Sequence, residues 1–600
     1  MKHPPRLPPV PAEAGSSPRL DSVRQALRLR VLRLMVVIAG LAFGWEAPAP
    51  VWGEPSAAAA TPDQSIPVDP ESAPETPSSG LGLAEVVAMT LGHNPDILLQ
   101  AQEVAGKQGA VQQAAGPFSP QLRSGVVKSR SIRPLTMRDR FGMGGRTHLP
   151  TTTTNYQIGY ERLLRSGLVL RPRIEFTRND PDLPGLIPEN RGEVKFELIC
   201  PLARGRGANA APRANEDAAR LDLEASRRTL EAAVQRSLFQ AIDAYWSYVG
   251  SFRRLEIQRA AEDRARRLVE ETEQLIKADH SPASERSQVE ANLAAKQADR
   301  ISSENTLRQD RRSLGLLLGI DAAAIEGLGP PLDAFPEPAS LSLPVDLPPA
   351  LVQETLDRRP ELAELRLQAR SAARLTAGSR SDERPRIDAN LTVGYSGLDE
   401  SNRFAAYFTP LSQRLPGLNV TFQVTADLPL KNDQAIGLRR QREAQEHKLA
   451  IALERAERDI RTGLTLAWRS VIDSLHQARC SDIAVRTYQS AVENEKAKLA
   501  NGMSTLIDLI NMEDRLTNAL LSDIQARVNL ARALNSLQYQ AGRLVRRAEE
   551  GRPAADRPAP GAPLPPPLPP EVGTARYAVD LEALRTVASA TAFPPTEKLP

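Results

Sequence analysis

The sequence contains little cysteine and few aromatic residues. Its only cysteines are Cys200 and Cys480, which excludes a disulfide-stabilised scaffold. Cys200 ends a predicted strand, whereas Cys480 lies far along a predicted helix. We therefore expect no disulfide between them and interpret both as buried small side chains. Aromatic residues make up 4% of the chain, which is low for a large globular core and typical of Ala-rich and Leu-rich helices that pack side by side.

The sequence also lacks an excess of one charge and the motifs of common enzymes. The net charge is +3 over 600 residues, and no block of Lys and Arg dominates the chain, so nucleic acid is not expected as a partner. The histidines show no metal-ligand spacing, and no GxxxxGK phosphate loop or nucleophile elbow occurs. We therefore expect no enzyme activity, no cofactor and no metal site.

Long apolar runs are missing as well, apart from one near the N-terminus. The run "LMVVIAGLAFGW" at 34–45 follows several arginines and is too short to span a bilayer, which is typical of a signal peptide. We predict a signal peptide over 1–53 and export of the chain, with an uncleaved N-terminal anchor as the alternative. The Pro, Ser and Ala bias of 54–80 and the Pro-rich segment 546–600 predict a disordered linker and a disordered C-terminal tail.

What the sequence does contain is an internal duplication. "TLGHNPDI" at 90–97 matches "TLDRRPEL" at 355–362, and "AYWSYVGS" at 244–251 matches "AWRSVIDS" at 467–474. Each repeat is predicted to run short helix, helix, strands, very long helix, turn, long helix. The predicted repeats are 81–330, with strands at about 120–200 and long helices at about 208–318, and 345–545, with strands at about 386–429 and long helices at about 435–545.

The predicted strands alternate apolar and polar residues. "GLNVTFQVTADLPL" at 417–430 shows the period of a strand with one apolar and one wet face. The first repeat holds an additional predicted hairpin at 153–178, which turns at Arg165, Ser166 and Gly167. The strands are expected to run about 9 to 11 residues, the length that crosses a bilayer when tilted. A soluble sandwich with one wet face fits the same alternation.

The predicted helices favour the membrane interpretation. Residues 213–281 and 438–501 each contain a single glycine and no proline, so each predicts one helix of roughly 95–105 Å. No compact domain needs that length. Their apolar residues recur in a coiled-coil-like seam, so a long coiled-coil spacer stays open as an alternative.

Four motifs resemble the outer-membrane efflux channel (TolC) family. They follow the family's order, show its duplication, and extend over about residues 81–545. They are "GLGLAEVVAMTLGHNPDI" (80–97), "ELICPLARGRGANAAPRANEDAARLDLE" (197–224), its counterpart "ADLPLKNDQAIGLRRQREAQ" (426–445) and "LANGMSTLIDLINMEDRLTNALL" (499–521). The last is similar to the family's helical hairpin tip.

The resemblance implies a mainly α fold with a membrane β-barrel portion. A homotrimer would form an α-helical tunnel and one shared barrel, to which family members generally give four strands per chain. The protein would lie in the outer membrane of a Gram-negative cell, in contact with its lipid, with helices extending into the periplasm. Pro201 and Pro429 would mark the junction between barrel and tunnel.

The implied function is that of a passive exit duct. A periplasmic adaptor and an inner-membrane pump would deliver substrates to it, in a tripartite efflux or type I secretion system. The alternative, from a different class, is an exported coiled-coil scaffold or tether with a soluble β-domain.

The resemblance also assigns the tips of the helical hairpins. Asp508 matches an aspartate that forms a charged ring at the periplasmic constriction, where three carboxylates would raise one another's pKa. A second acidic ring falls here on Asn511, so a less acidic constriction is expected. Glu285 matches the partner acid of the closing network.

The remaining tip residues are assigned to closing and docking. Gly502 would be the turn residue. Leu499 and Ser504 stand where the family has a tyrosine and an arginine, so the familiar lock is expected to be largely missing. The adaptor would dock at the tips, around 277–284 with His280 and Ser281, and around 500–507.

Overall fold

The computed structural model describes residues 80–182, 186–277, 282, 284–341, 343–402, 409–411, 418–501, 503–547 and 577–578. The predicted signal peptide and nearly all of the predicted linker and tail lie outside these residues. The limits predicted for the segments and repeats stay predictions.

The first half of the described chain places two short helices before the strands and two long helices after them. Asn94 caps the second helix, because its side-chain oxygen accepts hydrogen bonds from the amides of Asp96 and Ile97 at 3.1 and 3.3 Å. The elements are α1 (Leu83–His93), α2 (Pro95–Ala115), β1 (Gln121–Pro134), α3 (Met137–Gly142), β2 (His148–Leu163), β3 (Val169–Pro181), β4 (Glu189–Pro201), α4 (Ala211–Lys277), α5 (Ser284–Leu318) and α6 (Ala322–Glu326).

The second half repeats this order with fewer strands. Its elements are α7 (Pro349–Arg358), α8 (Pro360–Asp382), β5 (Arg386–Asp399), β6 (Asn419–Asp427), α9 (Asp433–Ala500) and α10 (Leu506–Gln540). Beyond them, Arg546–Arg547 pairs with Tyr577–Ala578. The prediction of a mainly helical chain with a strand region is confirmed.

Two very long helices dominate the molecule. α4 has 67 residues and α9 has 68, so each is about 100 Å long at 1.5 Å per residue. α4 packs against α5, α2 and α8, α9 packs against α10 and α8, and α10 also contacts α4. Among the described residues, no helix combines the length and the apolar character needed to cross a membrane.

Each half has a helical core, and the core of the first half also takes in Ala531 and Leu544 from the second half. Tyr245 is buried in the first core, and its hydroxyl donates a hydrogen bond to Asp333 at 2.8 Å. Burial raises the pKa of this hydroxyl. The alignment of the repeats places Tyr245 on Trp468, which is buried in the second core. At this aligned position, both repeats therefore bury an aromatic side chain in the core of their own half.

The strands form one antiparallel sheet in the order β1-β2-β3-β4-β5-β6. β6 has nine residues, but the other five have 13 to 16, so the predicted length of about 9 to 11 was wrong for them. The additional hairpin is confirmed as β2 and β3, with its turn at 164–168. Gly167 adopts a φ of 97° in that turn, which a residue with a side chain rarely adopts.

The two cysteines are free thiols. The absence of a disulfide between them is confirmed, but the prediction that both are buried was wrong. Cys200 is partly buried on β4, whereas Cys480 is exposed because it lies on the outer side of α9, away from the buried residues of the second core.

Candidate functional site

One face of the sheet is apolar across all six strands. In an antiparallel sheet, residues directly opposite each other project to the same face. The row Phe422–Leu391–Leu198–Leu170 follows this rule from β6 to β3. The apolar and aromatic side chains on this face are Leu122, Val126, Tyr156, Ile158, Tyr160, Leu170, Pro172, Ile174, Phe176, Val194, Phe196, Leu198, Cys200, Ile387, Ala389, Leu391, Val393, Tyr395, Val420, Phe422, Val424 and Ala426. Ser124, opposite Ile158, and Arg162, opposite Leu170, are polar residues on the same face.

The apolar face is exposed in the single chain. Phe422 is 68% exposed, and Leu122, Val126 and Ile158 are exposed as well. Exposed apolar patches that are contiguous over several strands mark a surface that another apolar phase or partner covers.

The apolar face ends in a polar row at the end of the sheet that lies away from the long helices. Lys128, Thr154, Arg178 and Asn190 are paired across β1 to β4 in this row. Beyond it, Arg130 forms an ion pair with Asp182 at 3.0 Å. The first three strands therefore extend past the apolar band, which explains their length.

The opposite face is polar and charged. Arg171 pairs with Glu161 at 3.0 Å, while Lys195 lies 3.4 Å from Glu175 and also pairs with Glu193. On β5 and β6 the middle of this face carries uncharged residues, of which Asn390 pairs with Gln423, whereas Arg386, Asp388 and Asp427 place charges at its end near the long helices. The face suits contact with water, since its side chains form hydrogen bonds and ion pairs rather than apolar contacts.

The turn between β2 and β3 is bound to the first turns of α4. Arg165 donates two hydrogen bonds to Glu216, at 2.8 and 3.0 Å, and Arg220 donates a third to the same carboxylate at 2.7 Å. The Glu216 side chain is 2% exposed. The Arg165 hydrogen bonds are the main reason that the pKa of Glu216 is lowered.

A cavity of about 390 Å³ lies at this junction between sheet and helices. Its walls include Phe118, Arg165, Gly167 and Pro201. Pro201 is buried and is paired with Asp388, and the next amide, of Leu202, donates to the carbonyl of Ile387 at 2.8 Å. Pro429 follows β6 and is exposed.

At the other end of the long helices, Asp508 takes part in a capping box. Thr505 is the N-cap of α10, and its side-chain oxygen accepts from the Asp508 amide at 3.3 Å. The Asp508 carboxylate accepts from the Thr505 hydroxyl at 2.6 Å and from its amide at 3.3 Å. These hydrogen bonds lower the pKa of Asp508, because they favour its ionised form.

The first turns of α5 and α10 meet in a small apolar cluster. Leu268, Val289 and Leu509 are buried in it, and Leu499 packs against it. Ser504 donates a hydrogen bond to Glu495, which is the main reason that the pKa of Glu495 is lowered.

The two predicted constriction residues other than Asp508 lie in the first turns of these helices. Glu285 is partly buried in the first turn of α5. Asn511 is exposed on α10, three residues after Asp508, so the two side chains lie on the same side of the helix.

No family model and no curated protein sequence matches the chain. A membrane protein from Pseudomonas aeruginosa matches with a TM-score of 0.57 and 18% identity, over 82% of this chain and 97% of that chain.

Two channel structures match equally well. CusC has a TM-score of 0.57 and 13% identity, over 82% of this chain and 99% of that chain. The Campylobacter jejuni CmeC outer membrane channel also has a TM-score of 0.57 and 13% identity, over 82% of this chain and 94% of that chain. This chain has the fold of outer-membrane channel proteins.

Within this channel fold, the predicted site residues lie at two separate places. Pro201 is the last residue of β4 and Pro429 lies just after β6, on the side of the sheet where the long helices begin. Glu285, Leu499, Ser504, Asp508 and Asn511 lie around the helical turns at the other end. His280, Ser281 and Gly502 were predicted for the same tips and lie outside the described residues.

Sequence reasoning missed the contact between Arg165 and Glu216. The only signal was an arginine in the turn of an additional hairpin, and no pattern connected it with a glutamate 51 residues later. It also missed the capping role of Asp508, for which the signal was present as Thr505 three residues before an acidic residue. In the described part of the chain, no group of three or more His, Cys, Asp or Glu side chains is placed to hold a metal ion.

Proposed function

We propose that this protein is an outer-membrane exit channel. The observation that carries the proposal is the two-faced sheet, which is apolar on one side over six strands and polar on the other, and which leads directly into two helices of about 100 Å. A transmembrane sheet needs an apolar side for lipid and a polar side for a water-filled lumen.

The chain would act as a homotrimer. β1 and β6 are the two edges of the sheet, and an unpaired backbone group costs several kcal/mol in hydrocarbon. Closing the sheet into a barrel with further copies of the chain removes both edges. The apolar face would then contact outer-membrane lipid and the polar face would line the lumen, with Pro201 and Pro429 at the junction to the tunnel.

The long helices would form a tunnel through the periplasm. A passive duct needs an energy source, so a periplasmic adaptor and an inner-membrane pump would deliver the substrate, in a tripartite efflux or type I secretion system. The adaptor would dock at the helical tips around 277–284, with His280 and Ser281, and around 500–507, with Gly502 and Ser504. Leu499 would support this region by packing against the tip cluster.

The constriction would be formed by Asp508 and Asn511, with Glu285 from the neighbouring tip. Thr505 lowers the pKa of Asp508 within one chain. Three copies of the carboxylate around a narrow axis would oppose this effect by mutual repulsion. The ring would attract cations, and Asn511 would keep it less acidic than two carboxylate rings.

The proposal is tested by purifying the full chain in detergent and adding it to planar lipid bilayers. We expect a trimer by light scattering and discrete conductance steps. A soluble monomer that gives no conductance would contradict the channel and would support the exported scaffold instead. The scaffold would have to cover the apolar face with a partner, since Phe422, Val126 and Ile158 on it are exposed in the single chain.

A further inference from the structure

The additional hairpin lies inside the sheet. β2 pairs with β1 on one side and β3 on the other, and β3 pairs with β2 and β4. The pairing of β3 with β4 is continuous from Val169 to Asn179. A hairpin at the rim of the sheet would instead leave β1 paired with β4.

The hairpin also crosses the full apolar band with the same two faces as its neighbours. Ile158 pairs with Ile174, which pairs with Val194 on β4. On the opposite face, Gln157 pairs with Glu175, which pairs with Glu193. A segment with this alternation in register with the rest of the sheet meets the same two environments as the rest of the sheet.

The edges of the sheet are matched for pairing with another copy. The strands alternate in direction, so β1 and β6 of one chain run in opposite directions. β6 of one copy can therefore pair antiparallel with β1 of the next. Val126 on β1 and Phe422 on β6 both lie on the apolar face and are 66% and 68% exposed. The apolar face would therefore continue across the seam between β6 of one copy and β1 of the next.

We propose that β2 and β3 form part of the membrane wall, so that three chains of six strands each close an eighteen-stranded barrel through pairing of β6 with β1. This inference rests on the proposed function. If each half supplied one hairpin, as the second half does, the same trimer would have twelve strands. Because barrel diameter grows roughly linearly with strand number, the additional hairpin would widen the lumen by about half and admit bulkier solutes.

The first experiment tests the environment of the hairpin with a fluorescent label on single cysteines. In a chain with Cys200→Ser and Cys480→Ser, the hairpin is probed by Ile158→Cys and Gln157→Cys. The matched controls on β6 are Phe422→Cys and Gln423→Cys. Each labelled protein is placed in vesicles of phosphatidylcholine with brominated acyl chains, which quench fluorescence only from the hydrocarbon.

We expect strong quenching at 158 and 422 and little at 157 and 423. Quenching at 422 without quenching at 158 would overturn the inference and leave the channel proposal standing. No quenching at either position would contradict both the inference and the channel proposal.

The second experiment tests closure between copies. Val126→Cys is combined in turn with Val420→Cys, Phe422→Cys and Val424→Cys, and the control combines Val127→Cys, on the opposite face of β1, with the same three. We expect oxidation to give covalent trimers with at least one pair of the first set and with none of the control set. Equal cross-linking in both sets, or in neither, would overturn pairing of β6 with β1.

The third experiment tests the width of the lumen. β1 ends and β4 begins at the same end of the sheet, so 135–188 can be replaced by a short turn, together with Glu216→Gln to remove the carboxylate that loses Arg165. Polyethylene glycols of increasing size are added on the barrel side of the bilayer. We expect the diameter of the largest polymer that enters the variant to be about two-thirds of the value for the unchanged chain. An unchanged size limit for entry would overturn the widening of the lumen. If this variant does not fold, the quenching and cross-linking results decide the inference.

Discussion

The two halves of the chain share a plan but differ in their strands. The long helices have 67 and 68 residues, whereas the first half contributes four strands and the second contributes two. Both long helices pack against α8 and against a returning helix of 35 residues, so the two halves build matching helical frames. An antiparallel sheet can accept a hairpin between two strands, because the hairpin restores the hydrogen bonds that it interrupts.

The halves also differ at the junction of sheet and helix. The alignment that places Ala244 on Ala467 places Glu216 on Arg439, so the charge is reversed. Glu216 is buried and bound by Arg165 from the additional hairpin. Arg439 is partly exposed and pairs with Glu383 at 2.6 Å. The hairpin therefore brings its own attachment to the helix, which the second half does not need.

The largest effect is expected from placing a charge on the apolar face. Ile158→Arg in the first half and Phe422→Arg in the second should each lower the free energy of unfolding by about 2–4 kcal/mol, because arginine is costly at the bilayer midplane. Denaturant unfolding in lipid vesicles measures the loss. Gln157→Arg and Gln423→Arg, on the polar face, are the matched controls. A loss at 422 without a loss at 158 would show that the two halves meet different environments.

The next largest effect is expected at two glycines that occupy matching positions in the two repeats. Gly319 and Gly542 end the returning helices with φ values of 69° and 67°, so alanine should cost about 1–2 kcal/mol at either position. A Cβ at Gly319 would lie 2.2 Å from the carbonyl oxygen of His93, whereas the nearest atoms at Gly542 are 3.6 Å away. Gly319→Ala should therefore lose about 1–3 kcal/mol more. Thermal unfolding of both variants measures the difference, and equal losses would contradict it.

A smaller effect is expected at the junction. Arg165→Ala should lower the free energy of unfolding by about 1–2 kcal/mol, less than the loss of a fully buried partner, because Arg165 is 51% exposed and Arg220 still binds Glu216. Arg439→Ala should cost less, since both members of its pair are partly exposed. Chemical denaturation of the two variants is the measurement, and a larger loss at 439 would reverse the comparison.

The same pair gives the protein a pH dependence. The folded pKa of Glu216 is lowered from an ordinary value of 4.5, so its contribution to stability is present above about pH 4.5 and is lost as the pH falls through the folded value. In Glu216→Gln this part of the acid dependence should disappear. Denaturant unfolding between pH 3 and 7 measures how the free energy of unfolding changes with pH. If Glu216→Gln loses as much stability in acid as the unchanged chain does, the assigned role of Glu216 is contradicted.

The smallest effects on stability are expected at the tips. Thr505→Ala should lower stability by about 1 kcal/mol through loss of the cap and leave ion selectivity unchanged. Asp508→Asn should reduce the preference for cations in planar bilayers. Asp508→Ala should both weaken the cap and reduce the preference for cations. Glu285→Gln, in the first half, should change selectivity less because Glu285 is partly buried. Reversal potentials in a salt gradient measure selectivity, and an unchanged value in Asp508→Asn would refute the charged ring.

Much of the fold could be predicted from local patterns. The period of two around Phe422 predicted β6, and the turn residues Arg165, Ser166 and Gly167 predicted the additional hairpin. The site was harder, because its contacts join residues far apart in the chain. Glu216 gave no sign of its partner, and the exposure of Cys480 depends on which side of α9 faces the neighbouring helices.

The sequence by itself determined the length of the helices, the duplication and the alternation of each strand, because these depend on neighbouring residues and on the period of the backbone. Only the tertiary structure decided that β2 and β3 lie between β1 and β4, that all six apolar columns share one face, and that Glu216 receives Arg165. Strand order and register depend on hydrogen bonds between distant segments, and burial of a charge depends on what packs over it. Neither is encoded in any short stretch of the chain.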